Sequence, residues 1–302
     1  MSLLVVGSVA FDCIETPHGF AEDVVGGSAV YFAVTASFFA PVKVVAIVGE
    51  DFGERQMRVF SHRPIDIEGI ERVPGKTFRW RGKYRADDMA NAQTLDTQLN
   101  VFENFSPKIP ASYLDSAYLF LGNIHPTLQL HVREQLPACR LVALDTMNYW
   151  IKGTPEELKK TLAAVDLLVI NEGEARMLSG TDNLRRSAAA ILKMGPRTLV
   201  IKRGEFGACL FQGDSIFFAP GYPLEQVHDP TGAGDTFAGG FMGHLARSGD
   251  HSEASLRRAL VYGSVMASFA VEEFGLHRLL RLTPKEIDAR YREFKSMTHF
   301  DV

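Results

Sequence analysis

The sequence predicts an α/β protein built on a mostly parallel sheet with helices covering both faces. Three observations carry that expectation. Short apolar, β-branched runs recur along the 302 residues, segments of helical period lie between them, and the runs do not alternate with polar residues. Continuous apolar strands of this kind are buried on both faces, as parallel sheets require. In chain order the expected strands are Leu3–Gly7, Val42–Val48, Tyr118–Leu121, Leu141–Leu144, Leu167–Ile170 and Leu199–Ile201. Helical patterns fall near Ala29–Phe39, Glu54–Ser61, Gln129–Gln135, Pro155–Ala164, Glu172–Leu178 and Leu184–Lys193. Thr154 before Pro155 is a helix start signal, an N-cap followed by proline at the first helical position. After Asp250 the chain reads as helix to about Glu273, turns at Gly275, and ends in a helix near Pro284–Lys295. Ligands of such a sheet sit beyond the carboxyl ends of its strands, so strand-end residues are the candidates for chemistry.

One region departs from the rhythm. From about Pro64 to Pro110 the chain is polar and poor in helix signals. Within it, period two puts Phe78, Trp80 and Tyr84 on one face of a strand and Arg79, Arg81, Lys83 and Arg85 on the other. A one-sided sheet of this type suits a small lid, expected from residues 13–25 and 63–105, that covers a site or pairs with a second copy as a homodimer. The basic face is expected to be mostly solvated, with binding of an anionic substrate as the alternative. Gly69–Thr77 resembles a phosphate-binding P-loop only superficially: five residues separate Gly69 from Gly75, and a strand follows where a helix is needed.

Composition excludes several classes. With 46% hydrophobic and 23% charged residues the chain can bury a core. Thirty-two basic against 36 acidic residues leave a net charge of −4, which argues against nucleic acid or an anionic membrane as partner. Cys13, Cys139 and Cys209 form no CxxC pair, so neither a disulfide framework nor a zinc knuckle is expected. The N-terminal MSLLVVGSVAFD reads as a buried strand and not a signal peptide, and no apolar stretch reaches membrane-spanning length. The expected setting is cytoplasmic. His251, His277 and His299 join no metal-ligand cluster and read as surface residues.

The most informative segment is Asp229-Pro230-Thr231-Gly232-Ala233-Gly234-Asp235-Thr236-Phe237-Ala238-Gly239-Gly240-Phe241. Its small residues let a tight loop turn into a helix, leaving the N–H groups of Gly232, Ala233 and Gly234 at the positive end of the helix dipole. That nest suits a phosphoryl group. Asp235 in the first turn is placed to accept a proton from an attacking hydroxyl. An ordinary glycine-rich loop with an acidic residue at a helix start is the alternative. The dinucleotide fingerprint fails, because its third glycine position holds Phe237.

These residues resemble the C-terminal signature of the ribokinase-like (PfkB) carbohydrate kinases. Further motifs follow that family's order. Gly26-Gly27-Ser28-Ala29 resembles its substrate-side di-glycine, Gly7–Asp12 its sugar-binding aspartate, Asn171–Glu174 its NxxE pattern, and Val200–Ala208 the strand–turn–strand beside the nucleotide. The resemblance spans about residues 3–275. It implies a ribokinase-like three-layer sandwich with a small β-sheet lid, a single kinase domain over 1–302, and transfer of the γ-phosphate of ATP to an alcohol. It also implies roles. Asp235 is the general base, with Gly232, Ala233 and Gly234 as anion hole. Asp12, Gly26, Gly27 and Ser28 hold the acceptor, joined by Asn123 and His125 at a strand end. Asn171, Lys202, Gly204, Gly207, Gly232 and Gly234 border the nucleotide. Asn171 and Glu174 order Mg²⁺ through water, and Asp229 and Thr231 match positions that hold K⁺ in some members.

One departure bears on the acceptor. Where many sugar kinases of the family carry an asparagine after the di-glycine, this chain has Val30-Tyr31-Phe32-Ala33, with no amide. Ribose and ordinary hexoses are thereby placed in doubt; the expected acceptor is a small polyhydroxylated, sugar-like molecule, with a nucleoside or a myo-inositol-like cyclitol as the alternative and a sugar phosphate also open. A non-catalytic nucleotide or metabolite sensor is the reading from another class. Asp145 and Asn148 stand at another strand end without an assigned role.

Overall fold

The computed structural model describes residues 1–61 and 63–299. Its strands are β1 (Leu3–Val6), β2 (Ala10–Thr16), β3 (Gly19–Gly26), β4 (Val42–Val48), β5 (Ile65–Arg72), β6 (Phe78–Arg85), β7 (Asp88–Gln98), β8 (Tyr118–Leu121), β9 (Leu141–Asp145), β10 (Leu167–Asn171), β11 (Thr198–Lys202), β12 (Ala208–Gln212) and β13 (Ser215–Ala219). The helices are α1 (Ser28–Ala36), α2 (Glu54–Ser61), α3 (Pro126–Gln135), α4 (Asn148–Gly153), α5 (Pro155–Leu162), α6 (Glu172–Ser179), α7 (Leu184–Leu192), α8 (Ala233–Ser248), α9 (Glu253–Ala270), α10 (His277–Arg281) and α11 (Pro284–Thr298).

The large sheet has the order β13-β12-β11-β10-β9-β8-β1-β4-β5. Its pairings are parallel from β11 through β5, and antiparallel where β12 and β13 close one edge. Period two sorts its side chains into two apolar layers. Leu3 and Val5 face α1, α8 and α9, whereas Leu4 and Val6 face the layer holding Val132, Leu158 and Ile191. The chain runs outward from β1 to β5 and then returns to β8 on the other side of β1, so the strand order reverses there. Such a reversal opens a crevice at the strand ends.

α8 enters that crevice because its own sequence is small on the packing side. A Cβ at Gly239 would meet the Phe32 carbonyl oxygen of α1 at 2.7 Å, and one at Gly240 would meet the Tyr262 carbonyl oxygen of α9 at 2.8 Å. The second half of the glycine-rich motif therefore packs helices, while its first half faces the crevice. Between these contacts Phe241 is fully buried, worth roughly 1.5–3 kcal/mol over exposure.

The small sheet, β3-β2-β6-β7, differs from the expected boundaries. It is built from residues 10–26 and 78–98, not 13–25 and 63–105. β5 belongs to the large sheet, paired in parallel with β4. It is polar enough to read with the lid because it is an edge strand, with Ile65, Ile67 and Ile70 turned to the core and the acidic residues between them wet. On β6, Tyr84 is buried as expected, and Phe78 stacks on Phe102 with ring centroids 5.3 Å apart. The basic row is largely neutralised: Arg79 pairs with Asp23 and Asp51, Lys83 with Glu15, and Arg85 with Asp87. His251 is half-buried and shares a 3.0 Å hydrogen bond with Tyr118, unlike the exposed His277 and His299. No helix among the described residues is long and apolar enough to cross a membrane.

Candidate active site

The loop ahead of α8 turns through Gly232, which is left-handed at φ 71° and ψ 2°. A side chain there would collide with the ring of Tyr31, which lies against it. The amides of this loop divide differently from the expected trio. Ala233 donates to the Pro230 carbonyl at 3.2 Å, whereas the N–H groups of Gly232 and Gly234 have no partner among the described residues. The nest is thus made by Gly232 and Gly234, at the positive end of a 16-residue helix.

Asp235, half-buried, follows in the first turn. Burial pushes its carboxyl up to about 7, Asp145 and Glu174 add to the rise, and Lys202 opposes it. The three groups that act on it arrive from successive strand ends. Asp145 ends β9, Glu174 stands in the first turn of α6 after β10, and Lys202 ends β11. The Lys202 Nζ is 4.0 Å from Asp145 Oδ1 and would be 2.8 Å from a Cβ on Gly234. An ammonium is therefore held beside the open amides, kept charged by Asp145, Glu174 and Asp235 against the pull of burial. A cation at the positive end of a helix is unfavourable until an anion joins it, so the pair forms an anion site.

Asn171 and Glu174 have a local task as well. They form a capping box, in which the Asn171 side chain accepts from the Glu174 N–H at 2.8 Å and Glu174 Oε2 accepts from the Asn171 N–H at 2.7 Å. The second Glu174 oxygen has no hydrogen-bond partner among the described residues. Burial, then Asp145, pushes this carboxyl up to about 7. Among the described residues no three acidic or imidazole side chains cluster closely enough to cage a metal. Hard oxygen donors in this sparse arrangement fit Mg²⁺, which keeps waters and takes phosphate oxygens. Beyond β11, Gly204 and Gly207 turn the chain at positive φ into β12; Gly204 is exposed, whereas Gly207 is buried, where a Cβ would collide with the Ala219 carbonyl oxygen.

Asp12 stands in β2, almost wholly buried, with its carboxylate against Gly26. Burial pushes its carboxyl up to about 8, with Asp229 and Asp235 adding to the rise and the Gly27 N–H opposing it. The di-glycine has two distinct reasons. Gly26 leaves room for the Asp12 carboxylate, and Gly27 is at φ 95° with a Cβ only 2.5 Å from the Ser8 carbonyl oxygen. Ser28 is not free to meet a ligand: its hydroxyl accepts from the Ser8 N–H at 3.1 Å, and its N–H donates to Ser8 Oγ at 3.0 Å. It braces the β1–β2 connection to α1. Asp229 likewise ties loops together, accepting from Thr231 N–H at 2.9 Å and Gly275 N–H at 2.8 Å. The Thr231 hydroxyl donates to the Tyr84 hydroxyl at 3.1 Å, linking this loop to the small sheet.

Asn123 and His125 lie beyond β8, away from a free pose. Asn123 donates to Met147 Sδ at 3.0 Å and accepts from Trp150 Nε1 at 2.9 Å, while His125 caps α3 by accepting from Thr127 N–H at 3.2 Å. Their polar groups organise an aromatic wall of His125, Trp150 and Tyr149. Asn148 is exposed at the start of α4. Sequence reasoning left Asp145 without a role and named Tyr31 and Tyr84 only as aromatics. A carboxylate closing a buried strand was the visible signal for Asp145; the tyrosines gave none.

Comparison with known proteins identifies the family and the fold. The model of the pfkB family of carbohydrate kinases matches residues 2–281. The chain is similar to a cytidine kinase of Thermococcus kodakarensis, 30% identical over 254 residues that cover 82% of this chain and 89% of that protein. An inositol 3-kinase of Oryza sativa subsp. japonica is 25% identical over 90% of this chain and 69% of its own. Among solved structures, adenosine kinase from Sinorhizobium meliloti superposes with a TM-score of 0.79 at 17% identity, over 97% of this chain and 99% of that one.

Proposed function

The chain belongs to the pfkB family of carbohydrate kinases and phosphorylates a hydroxyl group, and from that premise we propose that Asp235 is its general base and a nucleoside its acceptor. One observation carries the catalytic reading. Asp235 stands in the first turn of α8, beside the amides of Gly232 and Gly234, unpartnered among the described residues, and the Lys202 ammonium, and is near enough to Asp12 to raise its carboxyl. The acceptor is anchored by Asp12, whose two oxygens suit a vicinal diol. Asp235 takes the hydroxyl proton as the oxygen attacks the γ-phosphate of ATP in line. Gly232, Gly234 and Lys202 bind the equatorial oxygens of the transferring group. Asn171, Glu174 and Asp145 would hold Mg²⁺ through its waters, and the ion would neutralise phosphate charge. Gly204 and Gly207 shape the rim for the nucleotide.

The small sheet acts as a lid in this reading, excluding water from the phosphoryl group. Its outer strand β7 is an edge strand with Leu95 exposed, a surface on which a second copy would form a homodimer. K⁺ at Asp229 and Thr231 would share oxygens already bonded to backbone N–H groups and to Tyr84, so it enters only as an accessory. All three cysteines are free, which supports a cytoplasmic setting.

The acceptor assignment rests on the missing amide after Gly27 and on the similarity to a cytidine kinase. Coupled ADP release with ATP and Mg²⁺ across nucleosides, pentoses, hexoses, cyclitols and sugar phosphates tests it. Turnover is expected first with nucleosides. Turnover confined to myo-inositol would replace the acceptor class, and ligand stabilisation without ADP release from any compound would favour a sensor.

A further inference from the structure

Tyr31 has a hydroxyl that the mechanism above does not use. It rises from the first turn of α1, four residues after Gly27, and its ring lies on Gly232. The residue is 1% exposed, and its hydroxyl oxygen has no hydrogen-bond partner among the described residues. Buried hydroxyls of this kind are normally satisfied. The ionisable groups near enough to act on it are Asp12, Asp229, Tyr84 and Asp235. Two of these are already engaged: Asp229 holds two backbone N–H groups and Tyr84 accepts from Thr231. The other two, Asp12 and Asp235, are the anchor and the base of the proposed function, and the acceptor has to reach both.

We propose that Tyr31 is a specificity-determining residue whose hydroxyl hydrogen-bonds one hydroxyl of the non-reacting diol that Asp12 holds. The inference rests on the kinase reading for the acceptor's position. It explains how the chain works without the amide found after the di-glycine in related sugar kinases. A phenol supplies one hydrogen bond and a flat apolar face, where an amide would supply two hydrogen bonds and little surface. Such a site favours acceptors with an apolar portion beside the diol, as nucleosides have.

Tyr31→Phe keeps the ring on Gly232 and removes only the hydroxyl. Cytidine, 2′-deoxycytidine and 3′-deoxycytidine are the probes, read by acceptor KM in coupled ADP release and by Kd in calorimetry without ATP. The wild type should prefer cytidine over one deoxy analogue by roughly three- to tenfold through this bond, and Tyr31→Phe should abolish that part of the preference. The KM for ATP should stay unchanged, and the ligand-free melting temperature should stay level or rise, because the lost hydroxyl had no partner. Full retention of the preference in Tyr31→Phe would overturn the proposal, as would a lowered melting temperature of the ligand-free variant. So would failure of cytidine, ribose and myo-inositol alike to bind. Binding without ADP release would remove the kinase reading alone, since the calorimetric comparison still decides the role of Tyr31.

Discussion

At the scale of single residues, proton affinities govern what the site does with pH. As the proposed base Asp235 would act only when ionised, and burial with Asp145 and Glu174 raises its carboxyl to about 7. kcat/KM is therefore expected to climb between about pH 6 and 8 and to level above. Asp235→Asn should lower kcat by on the order of 10²–10⁴-fold while the KM for ATP hardly moves; full turnover in that variant would remove the mechanism. Asp12 has the opposite kind of consequence, for stability. Its folded value of about 8 lies above the unfolded 3.8, so its contribution is complete below about pH 4 and is lost as pH rises towards 8. The slope from one such group is at most about 1.4 kcal/mol per pH unit. Denaturation midpoints at pH 5, 6.5 and 8 should fall less steeply in Asp12→Asn than in the wild type, and equal slopes would mean that the carboxyl is not buried uncharged.

Among elements, the first turn of α8 separates two glycine roles that look identical in the motif. Gly232 is left-handed and pressed on Tyr31, so Gly232→Ala strains the backbone and displaces a buried ring. Gly234 is helical, and a methyl there meets only the tip of Lys202. Gly232→Ala should thus lower thermal stability and activity together, whereas Gly234→Ala should keep the melting temperature within a few degrees and lower kcat. Equal melting temperatures for both would contradict the geometry. The motif itself was plain in the sequence, because a glycine-rich stretch opening an apolar helix has few other uses. Which amide faces outward was not, since Ala233 finds the Pro230 carbonyl only once the loop is folded. Ser28 carries the same lesson. Its position beside the di-glycine pointed to a ligand, yet its partner Ser8 is 20 residues away and reached by a turn that no local pattern specifies. The NxxE pair was legible twice over, as a capping box and as oxygen donors, and the structure keeps both uses.

The molecule as a whole is a rigid large sheet carrying a smaller one at its active edge. The buried parallel strands were readable from composition alone, because burial on both faces leaves no polar residue to confuse the period. The small sheet was harder, since strands wet on one side resemble any polar edge; β5 was drawn into it for that reason. Trp80 lies in the small sheet and Trp150 beside the strand ends of the large one, and the sequence has no other tryptophan. With Trp150→Phe removing the second signal, acceptor binding should change the emission of Trp80 if the small sheet closes. Emission unchanged at saturating acceptor and ATP analogue would mean that the small sheet stays fixed.

The hydrogen bond from Thr231 to Tyr84 gives that closure a meaning beyond shelter. It joins the small sheet to the loop that presents Gly232 and Gly234. In the proposed function this bond ties the acceptor side to the donor side, so that a substitution in the small sheet at Tyr84 would be felt at the amides that meet the phosphoryl group, without touching either substrate.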